Sequence, residues 1–160
     1  MTENDPMIRL ATLLREADTA MLTTVSTDGK LISRPMTTQD TDFLGDLWFV
    51  FSKESPQASQ IQKAAEVNVA FETKNTWVSI SGSGHIVEDR IKLEEHWTSA
   101  MDAWFPHGID SPEVALLRVE VESAQYWETK AGPLTAVIEK IKARGSDEQP
   151  DIGQSQKVEF

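Results

Sequence analysis

AMLTTVSTDGKLISRPMT, running from Ala20 to Thr37, is the stretch whose reading decides the fold. Its first seven residues are rich in strand-favouring types. Thr27-Asp28-Gly29-Lys30 then carries the Asp-Gly pair of a tight hairpin turn. LISRPMT, Leu31 to Thr37, alternates apolar and polar residues as a returning strand would. Arg34 and Pro35 sit awkwardly there, because proline cannot donate to a ladder. Two readings stand side by side. Pro35 marks an edge or a bulge and Arg34 is a solvated surface charge. Alternatively, the strand's pairing breaks so that backbone groups and one guanidinium face a ligand, and a bidentate guanidinium suits a phosphate.

Working outward, Asp5-Pro6 is a helix start, with the aspartate as cap and the proline in the first turn. Ile8, Leu10, Ala11, Leu14 and Ala17 recur at helical spacing, predicting a helix from Pro6 to about Ala17. LWFVFS (47–52) reads as a short buried strand. Ser55-Pro56 starts a second helix with Ala58, Ile61, Ala64 and Ala65 on its apolar face. NVAFE (68–72) and WVSISGSGHIVE (77–88) are strands, and Gly82 and Gly84 mark a bulge or a close backbone approach. From about Asp89 the pattern is helical, with Leu93, Trp97, Met101, Trp104 and Phe105 on one side, until Phe105-Pro106-His107-Gly108. VALLRVEVESAQYWE (114–128) is the last long strand signal, and Leu134 to Ala143 a closing helix. About six hairpin-connected strands with helices at intervals predict a mainly β chain with flanking helices, a small antiparallel barrel. Residues 1–145 form one domain, and 146–160 a polar, loosely held tail.

Composition removes several function classes. The chain has 160 residues, 15 Lys and Arg against 26 Asp and Glu, and a net charge of -11. Such a surface repels nucleic acid and anionic membranes unless a basic patch is present, and no run of Lys and Arg makes one. No apolar run approaches the ~20 residues that span a bilayer. The start of the chain, MTENDPM, is polar and acidic and does not read as a secretory signal. The absence of cysteine excludes disulfides, thiolate metal sites and cysteine nucleophiles, and is compatible with the cytoplasm.

His85, His96 and His107 have no short ligand spacing, so no metal site is expected. No serine has a base in company, so a hydrolytic triad has no support. Gly82-Ser83-Gly84 lacks the longer glycine fingerprint of a dinucleotide fold. Trp97, Trp104 and Phe105 read either as core at helical spacing or, for Trp104 and Phe105, as a half-buried groove lining. A phosphate site near LISRPMT would rest on few charges. Arg34 and Lys53 are the only cations between Leu31 and Gln62. It would need the Ser52 and Ser55 hydroxyls and the amides opening the Pro56 helix. No side chain stands out as a catalytic acid or base.

The order of TDGKLISRPM, LWFVFS, SPxxxxI, NVAF, VSISGSGHIVED, AWFPHGIDSP and YWE resembles the pyridoxamine 5′-phosphate oxidase-like split-barrel flavoproteins, in particular the general stress protein 26 group. The resemblance covers roughly Met7 to Trp127 and rests on the order of short motifs. It implies a six-stranded antiparallel split β-barrel. It also implies a homodimer with two flavin mononucleotide (FMN) sites between the subunits. Arg34 then matches the arginine of the flavin-binding strand, and Pro35, Met36, Thr37 and Thr38 would line the ring edge. Val50, Phe51 and Ser52 would support the ribityl chain. Ser55 and Gln57 match the phosphate-binding turn, and Trp77 a position that contacts the ring in a related oxidase. The family's Ser-Pro-Lys is here Ser55-Pro56-Gln57, a neutral donor in place of a charge, which implies weaker flavin binding unless Lys53 or Arg34 compensates. The basic C-terminal residues of the true oxidases have no match in the acidic tail. An FMN-dependent oxidoreductase is the first expectation. A flavin-sensing module, a barrel that has lost flavin and mediates an interaction, and a deazaflavin binder are the others.

Overall fold

The computed structural model describes residues 5–38, 45–128 and 155–160. Helix α1 spans Pro6–Glu16, and Asp5 caps it by accepting from the Met7 amide at 2.9 Å. Leu10 and Leu13 on its inner face are fully buried, while Ile8 lies outside at 37% exposure. The buried stripe is thus rotated slightly from the one read by spacing alone.

Seven strands follow: β1 Thr19–Val25, β2 Leu31–Thr37, β3 Asp46–Ser52, β4 Glu66–Thr73, β5 Thr76–Val87, β6 Val114–Glu128 and β7 Ser155–Glu159. Every pairing is antiparallel, in the order β2-β1-β4-β5-β6-β3, with β7 added to β6. The seventh strand corrects the expected count of six. It comes from the polar tail, whose Val158 is buried against the core although its neighbours are charged. Backbone pairing along Ser123–Trp127 of β6 and this one buried apolar residue hold it. The expected helix at 134–143 lies outside the described residues.

The sheet curls around a core that includes Leu22, Phe49, Val69, Ile80 and Leu117. It does not close, because β2 and β3 stand at opposite ends of the strand order. Helix α2, Pro56–Lys63, packs against the curled sheet through Ala58 and Ile61. Gly82 and Gly84 explain how tightly the sheet curls. The register shifts between Ser81 and Gly82, and a Cβ at 82 would fall 2.2 Å from the Glu120 carbonyl oxygen. At Gly84 it would meet Ile61 and Val67 at 3.1 and 3.3 Å.

The third helix is shorter than its periodicity predicts. Helix α3 spans Arg90–His96, Trp97 is extended, and a short 3-10 helix covers Ser99–Ala103. β-branched Thr98 adopts an extended conformation between the two, which ends the first and starts the second. Leu93, Met101 and Phe105 still reach one cluster with Val50, Val114 and Leu116, a second core on the other face of β3 and β6. Trp104 does not join it and is 70% exposed.

Candidate functional site

The gap between the two edge strands is a cleft of about 530 Å³. From β2 it is lined by Arg34, Pro35, Met36 and Thr37, and from β3 by Val50, Phe51 and Ser52. Ser55 and Gln57 reach it from the start of α2, and Met101, Trp104 and Phe105 from the segment after α3. Thr19 completes the lining.

Pairing in β2 runs without interruption through Pro35, from Thr19 opposite Thr37 to Val25 opposite Leu31. The expectation of a broken ladder is therefore corrected, and the register explains why. The Thr38 amide donates to Asp18 and the Ser26 amide to Lys30, at 3.1 and 2.8 Å, at the two ends of the ladder. Bonded and non-bonded pairs alternate in an antiparallel ladder. Pro35, opposite Met21, thus occupies a non-bonded position, and its missing N–H faces the open edge. Similar counting from the Lys53 amide bond to Glu113 puts Val50 and Ser52 at non-bonded positions of β3. Their amides face the other open edge.

Arg34 points inward from β2. Its Nη1 donates to Thr24 Oγ1 at 2.9 Å and its Nη2 to Gln60 Oε1 at 3.2 Å. Burial pulls its pKa below the ordinary arginine value, and the group stays charged at neutral pH. Among the described residues it is the one charged side chain in the cleft lining, and none of them brings a carboxylate there.

Several expected site residues have other duties. Ser55 stands at the cap position of α2, but its hydroxyl donates to the Ser52 carbonyl at 2.6 Å and accepts from no helix amide. Proline at the next position has no N–H, so the Gln57 amide is the first donor the helix offers. Gln57 itself is buried, with Nε2 3.9 Å from Met36 Sδ. Lys53 is paired with Glu88 and is absent from the lining, so it does not stand in for the missing lysine. Thr38 is taken up by Ala17 and Asp18 through its hydroxyl and amide, outside the cleft. Trp77 lies opposite Trp127 on the outward side of β5 and is not part of this chain's cleft. Thr19 and Met101 were not foreseen. Their positions follow from the curl of the sheet and the 3-10 turn, which leave no local signal.

The three histidines lie apart. His85 is on β5, His96 ends α3, and His107 precedes the turn at Gly108. Among the described residues no group of His, Asp and Glu side chains could hold a metal ion. No helix among them is long and apolar enough to cross a membrane.

Residues 5–151 match the family described as pyridoxamine 5′-phosphate oxidase like. The chain belongs to that family. A structure of the general stress FMN/FAD binding protein from Xanthomonas citri superimposes with a TM-score of 0.67 and 30% identity, covering 79% of this chain and 90% of that one. A candidate general stress protein 26 from Jannaschia gives 0.68 at 26% identity, over 96% and 97% of the two chains. Protein bli-3 of Neurospora crassa is 32% identical over 117 residues, 66% of this chain. This member of the pyridoxamine 5′-phosphate oxidase like family spans only 56% of the length of bli-3. The split-barrel fold expected from the sequence is the fold of these neighbours.

Proposed function

We propose that the cleft binds FMN and that the protein is a flavin-dependent oxidoreductase. It would act in the cytoplasm as a homodimer with its clefts at the subunit interface. The observation that carries the reading is the charge pattern. In a chain of net charge -11, the cleft lining holds, among the described residues, Arg34 and no acid. That arrangement selects an anion. Three of the five guanidinium N–H groups have no partner among the described residues, and the Gln57 amide opens a helix beside them. Phe51, Trp104, Phe105 and Met101 supply an apolar, aromatic wall suited to a planar ring. A phosphate joined to a flat heterocycle fits both halves, and the Xanthomonas citri neighbour is an FMN/FAD binding protein.

FMN, when bound, supplies the electron and hydride chemistry. The chain's own residues bind and orient. Arg34 and the start of α2 would hold the phosphate, the amides of Val50 and Ser52 would offer donors along the edge of β3, and the aromatic wall would keep water from one side. Exposed Trp104 at the mouth and Met21 and Leu31 on the outward side, 41% and 74% exposed, suit coverage by a second copy.

A second reading has one observation in its favour. Among the described residues the cleft lining contains no His, Asp, Glu, Lys or Tyr, so none of these side chains is suited to proton transfer near neutral pH. A flavin carrier or sensor would need none. FMN titration of the purified apo-protein, with the mass in solution measured alongside, tests both readings. One flavin per chain at micromolar affinity or tighter, on a dimer, supports the site. Bleaching by a reduced nicotinamide and reoxidation by an added acceptor supports the enzyme over the carrier. No saturable binding refutes the flavin reading and points to a barrel that has kept only an interaction role.

A further inference from the structure

Arg34 is held differently from Arg9, Arg90 and Arg118. Arg9 sits on Glu128, Arg90 on Glu94 and Asp110, and Arg118 near Asp46 and Glu120. Arg34 instead donates to a threonine hydroxyl and a glutamine amide oxygen, both neutral. Thr24 is fully buried and donates in turn to Gln60 Oε1 at 2.7 Å. The three side chains form a closed ring of hydrogen bonds. Gln60 Oε1 accepts from both partners, which fixes which end of its amide faces them.

We propose that Gln60 is a positioning residue for the anion site. Through neutral bonds, with Thr24, it orients the Arg34 guanidinium while leaving the whole charge for a phosphate monoester in the cleft. The inference rests on the phosphate-binding reading above. A carboxylate at position 60 could satisfy Thr24 and Arg34 in the same geometry and would add an ion pair. In a chain with 26 acids, acidic partners are common, so neutrality at this position is the feature that needs explaining. A purely structural glutamine, there only to satisfy the buried Thr24 hydroxyl, would be replaceable by glutamate without effect on a ligand.

Gln60→Glu and Gln60→Leu in the full chain separate these possibilities. The probes are FMN, riboflavin as the same ring without phosphate, and inorganic phosphate read by thermal shift. Gln60→Glu is expected to weaken FMN about ten- to a hundred-fold and riboflavin less than about twofold. It should abolish the phosphate shift while leaving the unliganded midpoint unchanged or raised. Gln60→Leu keeps the charge and loses the orientation. It should weaken FMN by only about three- to tenfold and retain part of the phosphate shift. Equal loss of FMN and riboflavin in Gln60→Glu, or no loss of either, overturns the inference while leaving the flavin reading intact. Equal damage from both variants overturns the claim that charge is what the glutamine spares. If the wild type binds neither flavin, the flavin reading falls by itself and the phosphate arm decides. A wild-type phosphate shift lost in Gln60→Glu then supports the inference, and an absent or unaltered shift overturns it.

Discussion

Gln57→Lys restores the charge that the family pattern places in the phosphate turn, and the structure gives its consequences opposite signs with and without ligand. Gln57 is 8% exposed and its Nε2 lies against Met36 Sδ at 3.9 Å. An ammonium there, without an anion, leaves water for a thioether neighbour. Loss of hydration at a buried unsatisfied group costs about 1–3 kcal/mol, more when charged. For a domain of this size the thermal midpoint should fall by roughly 2–12 °C. With FMN present the ammonium meets the phosphate instead. A charge-assisted bond is roughly twice as strong as a neutral one, a gain of about 1–1.5 kcal/mol. That corresponds to ~5–10-fold tighter binding, with steeper salt dependence. Thermal unfolding with and without FMN, and titrations at two salt concentrations, read both effects. If neither the unliganded midpoint nor the affinity changes, position 57 does not face the phosphate. Destabilisation without tighter binding would mean that Gln57 is only a core residue.

Arg34→Ala should reduce FMN affinity about ten- to a hundred-fold with the fold intact, since Thr24 keeps its bond to Gln60. Lys53→Ala, by contrast, should stay within about twofold because Glu88 already occupies Lys53; titration of both variants compares them directly. Burial first, then Lys92, against the opposing pull of Glu95, lowers the His96 pKa below 6.5. As pH falls below 6.5 the unfolded chain binds the proton first, so stability is lost down to the folded pKa. His96→Phe, which can keep the stacking on Trp48, should flatten that part of the urea-midpoint profile. Gly82→Ala places a Cβ 2.2 Å from the Glu120 carbonyl oxygen and should destabilise by more than about 3 kcal/mol, measured by urea unfolding.

The hairpin at Asp28-Gly29, β2 and β6 were readable because their signals are local: a turn pair, an alternating run, a long run alternating through Val119 and Val121. Nearly all of the expected cleft residues line it, since the order of the motifs fixed which strands carry them. The departures have non-local causes. Thr38 belongs to the ladder end at Asp18, and Trp77 faces outward by strand parity. The helix carrying Trp97 and Trp104 breaks because the second core accepts Leu93, Met101 and Phe105 without needing a continuous helix. Strand β7 was hidden because Val158 alone marks its inner side in a charged segment. Pro35 stays inside a strand because its amide position falls on the unbonded side of an edge, a matter of register.

Strands β2 and β3 are neighbours in sequence and extremes in the sheet. Their side chains can converge only after β1, β4, β5 and β6 have all taken their places between them. Long-range pairings of this kind are late arrivals in folding. A half-assembled chain would already contain Arg34, Ser55 and Gln57 yet hold no cleft, so ligand competence reports the completion of the sheet. FMN present during refolding should accordingly be captured only in the slowest phase, after the bulk of the strand signal has returned.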